Sequence, residues 1–195
     1  WEMACKTAFG DELDSKLGKL GFPLKGEWIE RKRDTLLGII ESPKWERRRD
    51  ERYVECDPVA TLIPDTIAFA TDEDGRRVFA IYDAKYYVPE VARKIEKQPG
   101  LESVTKQFLY QSAYKDFVLD HGFDYVVNAF LVPSAESELK ELARVSFPKV
   151  MGEVEPPFSN YIHMWALPAS AVFEAYLRGE RIDTESMKKI WENGE

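Results

Sequence analysis

Three residues near the middle of the chain have the types and spacing to do chemistry together. Asp83-Ala84-Lys85 closes an apolar stretch, Val78-Phe79-Ala80-Ile81-Tyr82. Residues i and i+2 of a strand share a face, so the Asp83 carboxylate and the Lys85 ammonium project together. Asp65 stands in the preceding apolar segment, within the single Pro-Asp dipeptide of the chain, Pro64-Asp65. Pairing the two segments through the turn at residues 71–75 brings Asp65 near Asp83. Adjacent carboxylates repel unless a cation sits between them. Hard oxygen donors at a partly open site suit Mg²⁺, which keeps waters and takes one or two carboxylates plus phosphate. Lys85 beside that ion would orient a water or offset developing negative charge. These are the parts that metal-assisted hydrolysis of a phosphodiester needs.

Acid-x-Lys by itself carries little weight. The chain also holds Asp14-Ser15-Lys16, Glu30-Arg31-Lys32 and Glu138-Leu139-Lys140. Context sets Asp83 and Lys85 apart, because charges at the end of a buried strand are costly unless paired. The bland alternative is a structural ion pair or a plain strand end. Other chemistry is poorly supplied. His121 and His163 have no partners at metal-ligand spacing and are expected in core or surface roles. Cys5 falls on an apolar helix stripe and is expected in the core. Neither glycine-rich phosphate loop, Gly-x-x-x-x-Gly-Lys or Gly-x-Gly-x-x-Gly, occurs.

The elements that must position these residues are readable from periodicity. Residues 1–20 predict a helix with a break at Gly10. Residues 21–57 are punctuated by Gly21, Pro23, Gly26 and Pro43 and predict irregular chain, with a short strand or helix around 35–40. Residues 62–70 and 77–86 predict two strands of an antiparallel hairpin around Asp74-Gly75. Then follow a long helix over 101–120, a buried strand over 125–132, and a helix over 134–145 capped by Ser134 or Ser137. A strand over 161–167 and closing helices over 169–177 and 184–191 complete the order. The expected fold class is α/β, a mixed sheet flanked by helices.

Composition bounds the rest. The chain has 195 residues, 44% of them apolar, enough for one domain with a real core. No apolar run reaches membrane-span length, and no secretory signal opens the chain. Two cysteines, Cys5 and Cys56, make no disulfide framework and fit a reducing, cytoplasmic compartment. A start at Trp1 rather than Met suggests a piece of a longer chain. The net charge of −8 argues against binding nucleic acid by bulk electrostatics alone. Residues 25–52 nevertheless carry nine basic and seven acidic side chains, with the run Arg47-Arg48-Arg49 between Lys44 and Arg52. That run is either a solvated face or a contact for phosphates.

Taken in order, the motifs resemble a known superfamily. Pro64-Asp65, seventeen residues, then Asp83-Ala84-Lys85 is similar to the PD-(D/E)xK nucleases. Asp83-Ala84-Lys85-Tyr86-Tyr87, Pro99-Gly100, the stretch from Lys106-Gln107-Phe108 through Tyr110-Gln111 to Tyr114, and Asn128-Ala129-Phe130-Leu131-Val132-Pro133 resemble the LlaJI-type restriction endonucleases, relatives of the McrC nuclease subunit. The resemblance extends over about residues 1–170 and implies a restriction-endonuclease-like core. It implies that Asp65, Asp83 and the carbonyl of Ala84 bind Mg²⁺ (or Mn²⁺) and that Lys85 positions the attacking water. An acidic residue on the first helix is common in the superfamily, and Trp1-Glu2 makes Glu2 the candidate. Of the Gln-x-x-x-Gln pair, Gln107 and Gln111, one would line the site, with Gln111 favoured. DNA is the implied substrate, cut to a 3′-hydroxyl and a 5′-phosphate. An AAA+ GTPase of McrB type is the implied partner, and a dimer would serve double-strand cleavage. Two rivals stay open: a stand-alone repair or recombination nuclease, and a non-cutting module with the nuclease fold.

Overall fold

A computed structural model describes residues 1–57, 60–87, 89–91, 95–182 and 189–191. Its centre is a five-stranded mixed sheet in the order β3-β4-β7-β9-β8. The strands are β3 (Thr66–Thr71), β4 (Arg77–Ala84), β7 (Tyr125–Ser134), β8 (Lys140–Val145) and β9 (Ile162–Pro168). Two small pairs lie outside it, β1 (Trp45–Arg49) with β2 (Arg52–Cys56), and β5 (Glu90–Val91) with β6 (Ile95–Glu96). The α-helices are α1 (Glu2–Phe9), α2 (Leu101–Ala113), α3 (Lys115–His121), α4 (Pro148–Met151) and α5 (Ala169–Arg178). No described helix is long and apolar enough to cross a membrane.

The expected hairpin is present, antiparallel, with Thr66 opposite Tyr82 and Thr71 opposite Arg77. Its first strand starts at Thr66 rather than at residue 62, and its second stops at Ala84. Strands β4, β7 and β9 run parallel, and β8 closes the far edge antiparallel to β9. Alternation along β4 divides the core. Val78, Ala80 and Tyr82 pack with Ala4, Cys5, Ala8 and Phe9 of α1 and Val172 and Ala175 of α5. Phe79 and Ile81 face the other way, toward Tyr110, Tyr114, Phe117 and Phe123. Each fully buried aromatic or aliphatic side chain there contributes about 1.5–3 kcal/mol through apolar burial.

Helix α1 ends where its sequence says it must. Gly10 takes φ 67°, the left-handed conformation that a side chain disfavours, and the Asp11 N–H donates to the Lys6 carbonyl at 2.9 Å. The helix does not resume toward residue 20. Asp11 instead accepts from the backbone N–H groups of Leu13 and Ile67, at 3.1 and 3.0 Å, and so ties the end of α1 to β3.

Three other expectations are corrected. Residues 134–145 do not form a helix. The Ser134 hydroxyl accepts from the Glu136 N–H in a local turn, and β8 follows. Lys140 to Val145 is rich in good helix formers, but pairing with β9 overrides that weak preference. The helix over 101–120 is two helices, broken at Tyr114, whose φ and ψ are −92° and 4°. The buried Tyr114 hydroxyl donates to the Leu36 carbonyl, 3.1 Å away. Within residues 21–57, the β1–β2 ribbon had no apolar period to reveal it, because nearly all its residues are exposed. Most of the closing helix expected over 184–191 lies outside the described residues.

Both histidines are buried. His163 pairs with Glu141 at 2.6 Å. His121 holds the irregular N-terminal segment against α3: Nε2 accepts from the Lys25 N–H at 3.3 Å, and Nδ1 meets the Phe117 carbonyl at 2.8 Å. That geometry needs the neutral, Nδ1-protonated ring. Burial, with the charges of Arg77 and Lys25, holds its pKa below the usual histidine value, against the Phe117 carbonyl and Asp120. A histidine kept neutral in the fold costs stability when the unfolded chain binds the proton first. Stability should therefore be complete above about pH 6.5 and fall as the pH drops below it. Thermal midpoints at pH 7.5 and 5.5 for the wild type and His121→Asn check this. The variant should lose part of the acid sensitivity.

Candidate active site

The hairpin pairs Thr66 with Tyr82, and Asp65 and Asp83 are the next residues beyond that pair. Asp83 follows Phe79 and Ile81 on the α2 face of β4, and Lys85 follows one step later. The Asp65 carboxylate accepts from the Ala84 N–H at 2.9 Å. Lys85 Nζ lies 2.7 Å from Asp83 Oδ1. The Lys85 N–H donates to the Leu131 carbonyl at 2.9 Å, so β7 holds this backbone beyond the end of β4. Asp83 is buried, and the Lys85 side chain keeps 23% exposure. The site therefore opens at the carboxyl ends of parallel strands, where α/β sheets commonly bind ligands.

Electrostatics mark the same place. The Asp65 carboxyl is pushed up to about 7, first by burial, then by the Asp83 charge and the hydrogen bond between the two. Glu2 adds to the rise, while the Ala84 N–H opposes it. Two carboxyl groups this close repel when both are charged, and a cation set between them would relieve that repulsion.

Both sides of the sheet edge contribute. Trp1 Nε1–H donates to the Leu131 carbonyl at 3.0 Å, which brings the start of α1 to the site. Glu2 is near enough to act on Asp65, but it is half-exposed and paired with Lys6 at 3.0 Å. From α2, Lys106 is held above its ordinary pKa by its bond to Glu102 and further by the charges of Asp83 and Asp65. The Tyr110 phenol is pushed up to about 12 by burial and by the same two carboxylates, and donates to the Ile63 carbonyl at 2.8 Å. Tyr87 is raised by burial and by Asp83. Sequence reasoning gave Lys106, Tyr110 and Tyr87 no role. The i, i+4 spacing of Lys106 and Tyr110 could have shown them as one stripe.

The two glutamines part company. Gln111 is buried and both ends of its amide serve Ser159: Nε2 donates to the carbonyl at 3.0 Å, and Oε1 accepts from the N–H at 3.1 Å. Gln107 donates through Nε2 to the Ala129 carbonyl at 3.1 Å, beside Asn128, whose Nδ2 donates to the Gln107 carbonyl at 3.0 Å. Gln107 Oε1 has no hydrogen-bond partner among the described residues. Of the pair, Gln107 is the one with an atom to offer.

Residues 29–159 match the family described as LlaJI restriction endonuclease. The chain belongs to that family. The matched region takes in Asp65, Asp83, Lys85, Gln107 and Gln111 and leaves Glu2 outside. The chain is also similar to a protein of Bacillus subtilis (strain 168) named type II restriction enzyme BsuMI component YdjA. It is 30% identical over 193 residues, 97% of this chain and 34% of that protein. The chain thus spans about a third of the length of that relative. No solved structure matches the chain.

Proposed function

We propose that this chain is the catalytic domain of a metal-dependent DNA endonuclease in a restriction system, built on a PD-(D/E)xK core. The observation that carries the reading is the Asp65–Asp83–Lys85 cluster at the carboxyl end of β4, with the Asp65 carboxyl pushed up to about 7 by burial and by Asp83. Membership in a restriction endonuclease family supports it.

The donor set fits a divalent ion. Among the described residues no three His, Cys, Asp or Glu side chains gather as a metal cage. Mg²⁺ does not need one, since it takes one or two carboxylates and fills its shell with water and phosphate. Asp65, Asp83 and the Ala84 carbonyl would hold Mg²⁺ or Mn²⁺, with Glu2 as an outer carboxylate. A bound ion would supply Lewis-acid activation of water and of the phosphate. The chain does the remainder. The Ala84 N–H orients Asp65, and Lys85, 2.7 Å from Asp83, offers N–H donors to an incoming water or a phosphate oxygen. Lys106 lends a second positive charge on the α2 side, and Gln107 Oε1 an acceptor for a water.

The acidic balance fits targeting by another subunit, because a net charge of −8 gives no bulk attraction to DNA beyond what a local basic face supplies. The relative is named as a component of a restriction enzyme, which supports a multi-subunit, cytoplasmic assembly. The partner we infer is an AAA+ GTPase of McrB type. Plasmid cleavage tests the reading. Supercoiled DNA should be nicked or linearised with Mg²⁺ or Mn²⁺ and left intact in EDTA. Asp83→Asn should lower the rate at least about a hundredfold. Cleavage that rises with the GTPase partner supports the assembly; metal-independent cleavage, or none under any condition, overturns the enzyme.

A further inference from the structure

The β1–β2 ribbon is left unused by the proposed site. Its register pairs Trp45 with Cys56, Arg47 with Val54 and Arg49 with Arg52; Glu46 with Glu55 and Arg48 with Tyr53 fall between. Cross-strand partners share a face, and alternate residues change face. One face therefore carries Trp45, Arg47, Arg49, Arg52, Val54 and Cys56. The other carries Glu46, Arg48, Tyr53 and Glu55. Residues 45–56 hold four arginines and four acids, a net charge of zero. The ribbon sorts that zero into a face of three arginines with no carboxylate, and an opposite face with both glutamates. Asp50 and Glu51 form the tip, Asp50 at φ 56°, a left-handed position that Asp tolerates.

The ribbon adds little to the core, since nearly all its residues are exposed. Trp45 and Tyr53 are 63% and 66% exposed. Arg47, Arg49 and Arg52 have no ion-pair partner among the described residues. The ribbon's base, by contrast, is fastened beside the site. The Thr61 hydroxyl lies 3.1 Å from the Glu41 carbonyl and 3.4 Å from that of Ile40, closing the excursion where it leaves and rejoins the body. Asp65 follows four residues later. Four extended residues span at most about 14 Å, so the base of the ribbon at Thr61 lies within about that distance of Asp65.

We infer that the arginine face of this ribbon, Arg47, Arg49 and Arg52, grips the phosphate backbone of duplex DNA next to the catalytic cluster. The inference rests on the endonuclease reading and deepens it. Guanidinium groups bind phosphate with a bidentate fork, and a two-stranded ribbon fits the major groove of B-DNA. The sequence contains the cluster, but its net charge hides it; only the pairing register separates the signs. An acidic surface on a protein partner is the competing occupant, and the experiment discriminates between them.

Binding of a labelled duplex, read by anisotropy in Ca²⁺ without cleavage, is measured from 50 to 300 mM salt. The variants are Arg47→Ala/Arg49→Ala/Arg52→Ala, the same three to Lys, and Glu46→Gln/Glu55→Gln on the opposite face. The alanine variant should lower the slope of log K against log salt by about 2 to 3 and weaken binding at least about tenfold. The lysine variant should keep most of the slope, and the glutamine variant should not weaken binding. Unchanged affinity and slope in the alanine variant, or no duplex binding by the wild type, overturns the inference, including the case in which the ribbon holds a protein instead. Failure of the endonuclease reading shows separately, as absent metal-dependent plasmid cleavage by the wild type. Unchanged thermal midpoints verify that the exposed substitutions leave the fold intact.

Discussion

Lys85→Ala is expected to lower plasmid cleavage by about a thousandfold or more while the protein stays folded. The rate loss follows from position. Lys85 Nζ is 2.7 Å from Asp83, and no other described cation is shown bonded to that carboxylate. Removing one donor aimed at developing charge commonly costs about 10²–10³ in rate. Here the same group also sets a positive charge against Asp83 beside Asp65. Without it, two neighbouring carboxyl groups lose an adjacent positive charge. The protein should keep its fold because Lys85 is a partly exposed side chain just beyond the end of β4 and fills no core position. Lys85→Arg is the sharper comparison: it keeps the charge but not the compact ammonium geometry, so it should restore stability more than rate. Single-turnover cleavage with matched thermal melts measures both. A wild-type rate in Lys85→Ala would remove Lys85 from the mechanism.

Gln111→Leu should do the opposite, unsettling the fold and sparing the chemistry. Gln111 satisfies both the N–H and the carbonyl of Ser159 in a buried setting. Leucine of similar size leaves both groups without partners, at about 1–3 kcal/mol each. For a chain of this size the thermal midpoint should fall by roughly 5–15 °C. Cleavage well below the new midpoint should stay within about threefold of wild type. A large rate loss with an unchanged midpoint would return Gln111 to the catalytic group. Gln107→Leu, with a free Oε1 in the parent, is expected to reduce rate more than Gln111→Leu does.

The contrast between the two glutamines shows where sequence reading stops. Their four-residue spacing places them on one helix face, and spacing says no more than that. Which amide is consumed depends on Ser159, 48 residues further along the chain. The ribbon has the same character. Arg47-Arg48-Arg49 reads as a charge run, and only the pairing with residues 52–56 shows that Arg48 points away from its neighbours.

The Asp65–Asp83 pairing, the strand carrying Lys85 and the α/β class were written in local signals. Period-two apolar runs, a tight Asp-Gly turn and a Pro-Asp step suffice, because a hairpin is closed by residues near in sequence. Three-dimensional packing alone decided the break at Tyr114, the strand at 140–145, the meeting of Lys106 and Tyr110 with the carboxylates, and the histidine held neutral by Lys25 and Phe117. Each of these depends on partners tens of residues away. Local preference there is worth tenths of a kcal/mol, and burial or a hydrogen bond across the core is worth more.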